Sequence, residues 1–273
     1  MRLLALALAA LVALPAAAQD RRPSHCISLV QDVPGVRMIH KASWSEPLPD
    51  YTVRIRFIGH AMFLLQTPEG LSAVTDYSGF IGSADFVPTV ATMNRAHSTH
   101  WTPDPDPRIP HVLPGWDFEA GAADHYLELD DMVVRNVPTD IRSYTGDGGE
   151  NGNSIFVFET AGLCIGHVGH LHHEPTPEQY AALGRLDVVM VPVDGGFTMD
   201  VAAIMRVVKR LRSSVVIPMH WFGDSTLEYF LTGMEGEFAV DRTGGSEIEL
   251  SLRTLPDRPT VKLLRPSYLR ADE

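Results

Sequence analysis

A cluster of histidines directly follows a segment whose composition is typical of buried β-strands. Residues 154–165 are rich in apolar and β-branched residues, and the next eight residues contain His167, His170, His172 and His173. Runs of this kind indicate strands covered on both faces. Imidazoles packed this densely at the end of a strand indicate metal binding or proton transfer more than core filling. The segment therefore predicts a functional strand end, and a histidine-rich surface loop is the alternative.

Two further histidine groups occupy the same kind of position. His97 and His100 follow a short apolar segment at residues 86–92, and His220 follows the apolar residues 215–219. Loops at strand ends are where a rigid scaffold displays reactive groups. A catalytic zinc commonly has three protein ligands and one open position. The three groups together predict a metal site, with zinc favoured and iron, nickel or copper as alternatives.

The order of the predicted elements indicates one α+β domain over residues 19–273. Strands and hairpins come first, and strand–helix–strand units follow, which predicts sheets with helices outside them. Residues 19–50 are predicted to be an extended arm. Residues 102–115 contain five prolines and are predicted to be a loop. Strands are predicted at residues 51–58, 61–66, 71–75, 86–92, 126–137, 154–165, 188–193, 215–219, 250–255 and 260–264, and helices at 176–183, 200–211 and 227–234.

The beginning of the chain has the pattern of a cleaved targeting segment. Arg2 is followed by an apolar run from Leu3 to Leu14 and by the small residues 16–18. The run is too short to span a membrane. We therefore interpret residues 1–18 as a signal peptide and expect a periplasmic or secreted protein.

The net charge limits the classes of binding partner, and the two cysteines raise the question of a disulfide. The formal charge is −12 at pH 7, which gives no electrostatic basis for binding nucleic acid or for stable association with an anionic membrane. A small-molecule substrate is the expected partner. Cys26 and Cys164 could pair in an oxidising compartment, or Cys164 could be a buried thiol, and the sequence favours neither.

Several ordered motifs between residues 54 and 222 resemble a known family. They are Ile58-Gly59-His60-Ala61, Thr75-Asp76, His97-x-x-His100, Gly166-His167-Val168-Gly169-His170, Asp187-Val188-Val189-Met190-Val191-Pro192 and Ile217-Pro218-Met219-His220. In this order they resemble the metallo-β-lactamase-fold hydrolases, in particular the L-ascorbate-6-phosphate lactonases. The resemblance implies a four-layer αββα sandwich with a metal site at one edge of the two sheets.

The metal ligands implied by the resemblance are only partly present. In the family motif H-x-H-x-D-H, Arg95 replaces the first histidine and Thr99 replaces the aspartate. His167 replaces the bridging aspartate. The family's histidine in the central loop has no counterpart, and Asp140 is the nearest candidate.

From these departures we derive the hypothesis of a single zinc held by His100, His167 and His220. His97 would be a fourth ligand or a neighbour of the ligands. A metal-activated water would hydrolyse an ester, lactone, amide or phosphodiester, and Arg95 would hold an anionic group or the developing oxyanion.

Three other residues and a rival function complete the interpretation. Asp76 either orients a ligand histidine or caps a turn. His60 is expected to be a buried structural histidine, and Asp194 a turn residue. The alternative function is that of a fold member which has lost catalysis and serves as a periplasmic metal- or small-molecule-binding module.

Overall fold

The structure is a computed structural model that describes residues 21–27, 43–142, 149–242 and 244–272. The predicted signal peptide and residues 28–42 of the predicted arm lie outside the described residues. No helix in the described part of the chain is long and apolar enough to cross a bilayer.

Two β-sheets form the centre of the molecule. One has six strands in the order β13-β1-β2-β3-β4-β5, and the other has eight in the order β12-β14-β11-β10-β9-β8-β7-β6. The strands are β1 Val53–Gly59, β2 Met62–Gln66, β3 Ser72–Val74, β4 Val90–Met93, β5 His111–Pro114, β6 Tyr126–Glu128, β7 Met132–Thr139, β8 Asn153–Thr160, β9 Leu163–His167, β10 Val188–Pro192, β11 Val215–Met219, β12 Ala239–Asp241, β13 Glu247–Leu250 and β14 Thr260–Lys262.

Three helices in the described residues connect successive strands of the eight-stranded sheet along the chain. They are α1 (Pro177–Leu183), α2 (Val201–Leu211) and α3 (Asp224–Met234). Thr176 and Gln179 form the predicted capping box, in which each side chain bonds the other residue's backbone N–H, so α1 begins at the following proline. The carboxylate of Asp200 accepts hydrogen bonds from the first backbone amides of α2. Local sequence signals therefore set the starts of both helices.

Two hydrophobic clusters cover the two faces of the six-stranded sheet. Phe57, Phe63 and other inward-facing residues join the large core that includes the eight-stranded sheet and the helices. The opposite face carries residues such as Leu64, and in the described chain loop residues including Tyr77 and Ile109 pack over it. The first sheet is thus buried on both sides.

The structure differs from the sequence prediction in three places near sheet edges. Strand β5 lies inside the predicted proline-rich loop, because its residues pair in parallel with β4. Strand β12 was not predicted, and the predicted strand at residues 250–255 instead ends at Leu250. Short edge strands depend on their neighbours for pairing and therefore leave weak local signals.

Strand β1 is more buried than its alternating sequence predicts. Arg54 and Arg56 are the polar residues of that alternation, yet both are buried. The antiparallel register with β13 places Glu249 opposite Arg54 and Glu247 opposite Arg56. Arg54 Nη2 lies 2.6 Å from a Glu249 carboxylate oxygen, so β13 supplies the charges that allow these guanidinium groups to be buried.

A disulfide ties the start of the described chain to the centre of the eight-stranded sheet. Cys26 and Cys164 are bonded, with a sequence separation of 138 residues. Nearby, Arg185 N–H donates to the Cys26 carbonyl at 2.8 Å. Of the two alternatives that the sequence left open, the structure contains the disulfide.

Removing this disulfide is expected to destabilise the protein. Closing so long a loop restricts the unfolded chain, and we expect the double change Cys26→Ala/Cys164→Ala to lower the free energy of unfolding by about 2–5 kcal/mol. Denaturant unfolding with and without reductant measures this. Reductant should weaken the wild type and leave the double variant unchanged; equal stability of the oxidised wild type and the variant would contradict the prediction.

Candidate metal centre

Four histidine rings converge where the carboxyl ends of strands from both sheets meet. The side-chain nitrogens of His60, His97, His100 and His220 all lie within 4.8 Å of one another. His60 directly follows β1, His97 and His100 lie in the loop after β4, and His220 directly follows β11. The structure thus brings together His97, His100 and His220 from the sequence hypothesis and adds His60 to them.

Hydrogen bonds across the two sheets hold this edge together. The backbone N–H of His220 donates to the carbonyl of His60 at 2.8 Å, so the two histidines are fixed to each other through their main chains. Asn94, which follows β4, donates from Nδ2 to Asp76 at 2.8 Å. Its Oδ1 accepts the backbone N–H of Ser154, in the second sheet, at 2.7 Å. The bonds from His220 to His60 and from Ser154 to Asn94 therefore fix one sheet end relative to the other.

A carboxylate oxygen lies close to the Nδ1 atom of two of the rings. Asp76 Oδ2 lies 2.5 Å from His100 Nδ1, and Asp194 Oδ2 lies 2.9 Å from His220 Nδ1. A carboxylate at one ring nitrogen holds a proton there and turns the other nitrogen, with its lone pair, towards a metal. Asp76 therefore makes the contact expected of a residue that orients a ligand histidine.

The two carboxylates differ in their electrostatic environments. Burial would raise the pKa of Asp194, but hydrogen bonds from His220 and Thr198 outweigh it and hold the pKa below its usual range. Burial raises the pKa of Asp76. A cation at the adjacent imidazoles would oppose that rise, because positive charge favours the ionised carboxylate.

The contacts of His100 Nε2 fit a cation better than a hydrogen-bonded cluster. This atom lies 3.2 Å from His60 Nε2 and also 3.2 Å from His220 Nε2. One ring nitrogen cannot accept one hydrogen bond and donate another, so the two contacts cannot both be ordinary hydrogen bonds. Nitrogens bound to one zinc at the usual length in a tetrahedral arrangement lie about 3.3–3.4 Å apart. Both spacings of His100 Nε2 therefore suit nitrogens that share a metal ion.

The pKa values of three of the rings, those of His60, His97 and His100, are lowered, which favours the neutral form that metal binding requires. Burial, followed by the neighbouring His220 and His100, lowers the pKa of His60 to about 3. Burial also holds the pKa of His100 well below its usual value. It lowers the pKa of His97 as well. Protons therefore compete weakly for these nitrogens near neutral pH.

Three residues of the site have left-handed backbone conformations. The φ angles are 56° for His60, 43° for Asp76 and 58° for His220. Residues other than glycine adopt this region at a cost, and such residues concentrate at functional sites. In each case the backbone turns one or two residues after a strand, at the shared edge.

His167 lies outside the converging group, although the sequence hypothesis made it a ligand. Its Nδ1 accepts the backbone N–H of Gly169 at 3.2 Å, and its Nε2 lies 2.7 Å from the carbonyl of Ala61. An amide can only donate, so the ring proton is on Nε2 and bonds Ala61. His167 thereby joins the end of β9 to the turn after β1, and both of its nitrogens are occupied.

His170, which the sequence hypothesis did not include among the metal ligands, lies against the cluster. Its ring centroid is 4.8 Å from that of His100 and 5.0 Å from those of His97 and His220. For His60 and His170 the available signal was position, since His60 lies one residue beyond β1 and His170 three residues beyond β9. Position alone does not distinguish a ring that turns inward from one that packs.

Three further residues of the hypothesis have other contacts. The Arg95 guanidinium lies over the ring of Phe118, 4.6 Å from its centroid. Asp140 accepts the backbone N–H of Asn151 within its own loop. Asp194 is the predicted turn residue, accepting the amides of residues 196–198, and it also contacts His220.

Comparisons with known proteins agree with the fold. Residues 54–220 match a family described as the beta-lactamase superfamily domain. A structure from Thermotoga maritima assigned to the metallo-beta-lactamase superfamily has a TM-score of 0.58 and 25% identity, covering 78% of this chain and 98% of that one. These matches confirm the predicted metallo-β-lactamase fold and its α+β class.

Two archaeal relatives are similar over part of their length. The UPF0173 metal-dependent hydrolase of Thermoplasma acidophilum is 30% identical over 105 residues, which cover 38% of this chain and 45% of the relative. The corresponding protein of Pyrococcus abyssi is 30% identical over 95 residues, covering 34% of this chain and 42% of the relative. The chain therefore spans less than half the length of these relatives.

Neutralising the carboxylate behind His220 is expected to weaken metal binding. Asp194→Asn keeps an oxygen for the turn but removes the negative charge that lies 2.9 Å from His220 Nδ1. We expect zinc affinity to fall about 10–100-fold, measured by competition with a chromophoric chelator. The matched control is Asp200→Asn at the start of α2, which should bind zinc normally. Equal affinity of the Asp194 variant and the wild type would show that His220 does not need this carboxylate.

Proposed function

This chain belongs to the beta-lactamase superfamily, and we propose that it is a metal-dependent hydrolase with zinc as its metal. The relatives that are named metal-dependent hydrolases support the reaction class. The observation that carries the proposal is the pair of 3.2 Å contacts of His100 Nε2 with two other imidazole nitrogens. Imidazole nitrogens are ligands that suit zinc.

The proposed ligands are His60, His100 and His220, with His97 as a fourth ligand or close neighbour. His60 takes the place that the sequence hypothesis gave to His167. When bound, zinc would lower the pKa of a coordinated water towards neutrality and so supply a nucleophile. Asp76 and Asp194 orient the rings of His100 and His220. His97 is exposed, which leaves the cluster open to solvent and substrate on that side.

The proposed substrates are small molecules with an ester, lactone, amide or phosphodiester bond. The motif resemblance to ascorbate-phosphate lactonases supports testing lactones first. The net charge of −12 argues against a nucleic-acid substrate, because a polyanion would be repelled.

We further propose that the protein is exported, to the periplasm or beyond the cell. The pattern of residues 1–18 supports export. The disulfide between Cys26 and Cys164 supports it independently, because such bonds persist mainly in oxidising compartments.

Metal analysis of the purified protein tests the proposal directly. We expect about one zinc per chain in the wild type, and loss of zinc in His60→Ala, His100→Ala and His220→Ala. The control is His173→Ala, a change at an exposed histidine, which should keep its zinc. Mass spectrometry of the metal content, followed by ester and lactone screens with and without chelator, distinguishes the outcomes.

Each result of that experiment has a definite meaning. Zinc that depends on the three histidines, together with chelator-sensitive turnover, supports the hydrolase. Zinc without turnover on any screened bond favours the alternative of a metal-binding module. Zinc content that is indifferent to the three changes would refute the proposed site.

Arg95 is proposed to hold the anionic part of a substrate. Because its guanidinium is permanently charged and lies over Phe118, removing it should weaken the binding of charged substrates more than that of neutral ones. For Arg95→Ala we expect the KM of an anionic ester to rise about tenfold, as loss of one exposed charge contact of about 1.4 kcal/mol implies, with the KM of a neutral ester unchanged. Equal effects on both esters would remove this role.

A further inference from the structure

His170 is a buried imidazole with one nitrogen that has no hydrogen-bond partner. Its relative exposure is 4%, and Nε2 lacks a partner among the described residues. The ring packs against His97, His100 and His220 at the centroid distances given above. A buried unpaired nitrogen costs free energy unless a ligand satisfies it, so its protonation state decides which ligand it can meet.

A chain of hydrogen bonds from the backbone fixes that state. The backbone N–H of Arg142 donates to His172 Nδ1 at 2.8 Å. An amide can only donate, so His172 Nδ1 carries no proton. Burial, followed by the charge of Arg142, lowers the pKa of His172 to about 4, and the neutral ring therefore carries its proton on Nε2.

The proton on His172 in turn determines which nitrogen of His170 is protonated. His172 Nε2 lies 2.6 Å from His170 Nδ1, so His170 Nδ1 accepts the bond and has no proton of its own. The proton of neutral His170 is then on Nε2. This is the opposite arrangement to His100, whose Nδ1 contacts the Asp76 carboxylate and whose Nε2 faces the other rings. The site therefore contains rings with lone pairs directed to a metal and one ring with an N–H instead.

Arg142, the first residue in this series of hydrogen bonds, is anchored on the turn that also contacts His220. The Arg142 guanidinium donates to the carbonyls of Gly196, Phe197 and Thr198 at 2.7, 2.9 and 2.6 Å. The amides of those three residues bond Asp194. One turn thus holds both the carboxylate behind His220 and the arginine behind His172.

We propose that His170 is not a metal ligand but a hydrogen-bond donor to the substrate oxygen that becomes negatively charged during hydrolysis, and that Arg142 and His172 position it. The inference rests on the proposed hydrolase function. A water oxygen bonds to the carbonyl carbon as the water gives one proton to solvent, and the π pair of the C=O bond moves onto the carbonyl oxygen. The N–H of His170 bonds that oxygen and keeps its proton. When the C=O bond re-forms, the bond to the leaving group breaks, and its electron pair departs with that group, which takes a proton from solvent.

Nuclear magnetic resonance of protein labelled with ¹⁵N-histidine reads the ring states without any substrate. On titration with zinc, we expect the Nε2 signals of His60, His100 and His220 to shift as metal-bound nitrogens. The His170 ring should keep a protonated Nε2 throughout. A His170 Nε2 signal that loses its proton and shifts with zinc would identify it as a ligand and overturn the proposal.

Variants separate donation from metal binding. His170→Leu should keep one zinc per chain and lower kcat about 10²–10³-fold on the best ester or lactone. His170→Gln retains a donor and should recover part of that loss. Loss of zinc from His170→Leu to the extent seen in His100→Ala, or unchanged kcat with zinc retained, would overturn the proposal.

Two variants of His172 test whether it positions His170. Gln at position 172 can accept from Arg142 with its oxygen and donate to His170 with its amide, whereas Leu can do neither. In His172→Leu we expect the proton of His170 no longer to be confined to Nε2, and kcat to fall about tenfold or more. In His172→Gln we expect the proton to stay on Nε2 and kcat to stay near the wild-type value. Equal tautomer spectra in the two variants would remove the positioning role. If the wild type turned over nothing, the proposed hydrolase would fail, while the zinc-bound spectra would still decide whether His170 is a ligand.

Discussion

The hydrogen bond from the His220 backbone to the His60 carbonyl joins the ends of the two sheets, and the site depends on it. The 2.8 Å contact sets the distance between two rings that come from different sheets. His167 and Asn94 make parallel connections, from β9 to Ala61 and from Asp76 to Ser154. All are buried, and a buried polar group left unpaired costs about 1–3 kcal/mol. The edge therefore resists separation, and the rings stay within reach of one ion.

Much of the fold follows from local sequence signals. The capping box at Thr176 and the carboxylate of Asp200 set the starts of two helices, and the hairpins follow from alternation and turn residues. Strands whose pairing depends on distant partners were harder to predict. Strand β5 lies among prolines that favour a loop, and the burial of Arg54 depends on a glutamate that is far away in the sequence. Such features are properties of the sheet as a whole.

The site was predictable in place but not in detail. The sequence indicated that histidines at several strand ends would meet, and the structure brings His97, His100 and His220 together. It did not indicate that His167 would use both nitrogens on the backbone, or that His60 would face the cluster. Each of those outcomes depends on which backbone groups lie beside a ring. Ala61, which bonds His167 Nε2, lies next to a strand of the other sheet and leaves no trace in the local sequence.

The left-handed backbones of His60, Asp76 and His220 place a demand on the rest of the fold. Glycine would occupy these positions with less strain, and each non-glycine residue there carries a cost of about 1–3 kcal/mol. The two packed sheets must therefore be stable enough to hold three unfavourable backbone conformations at one edge, so the site draws on the stability of the whole domain.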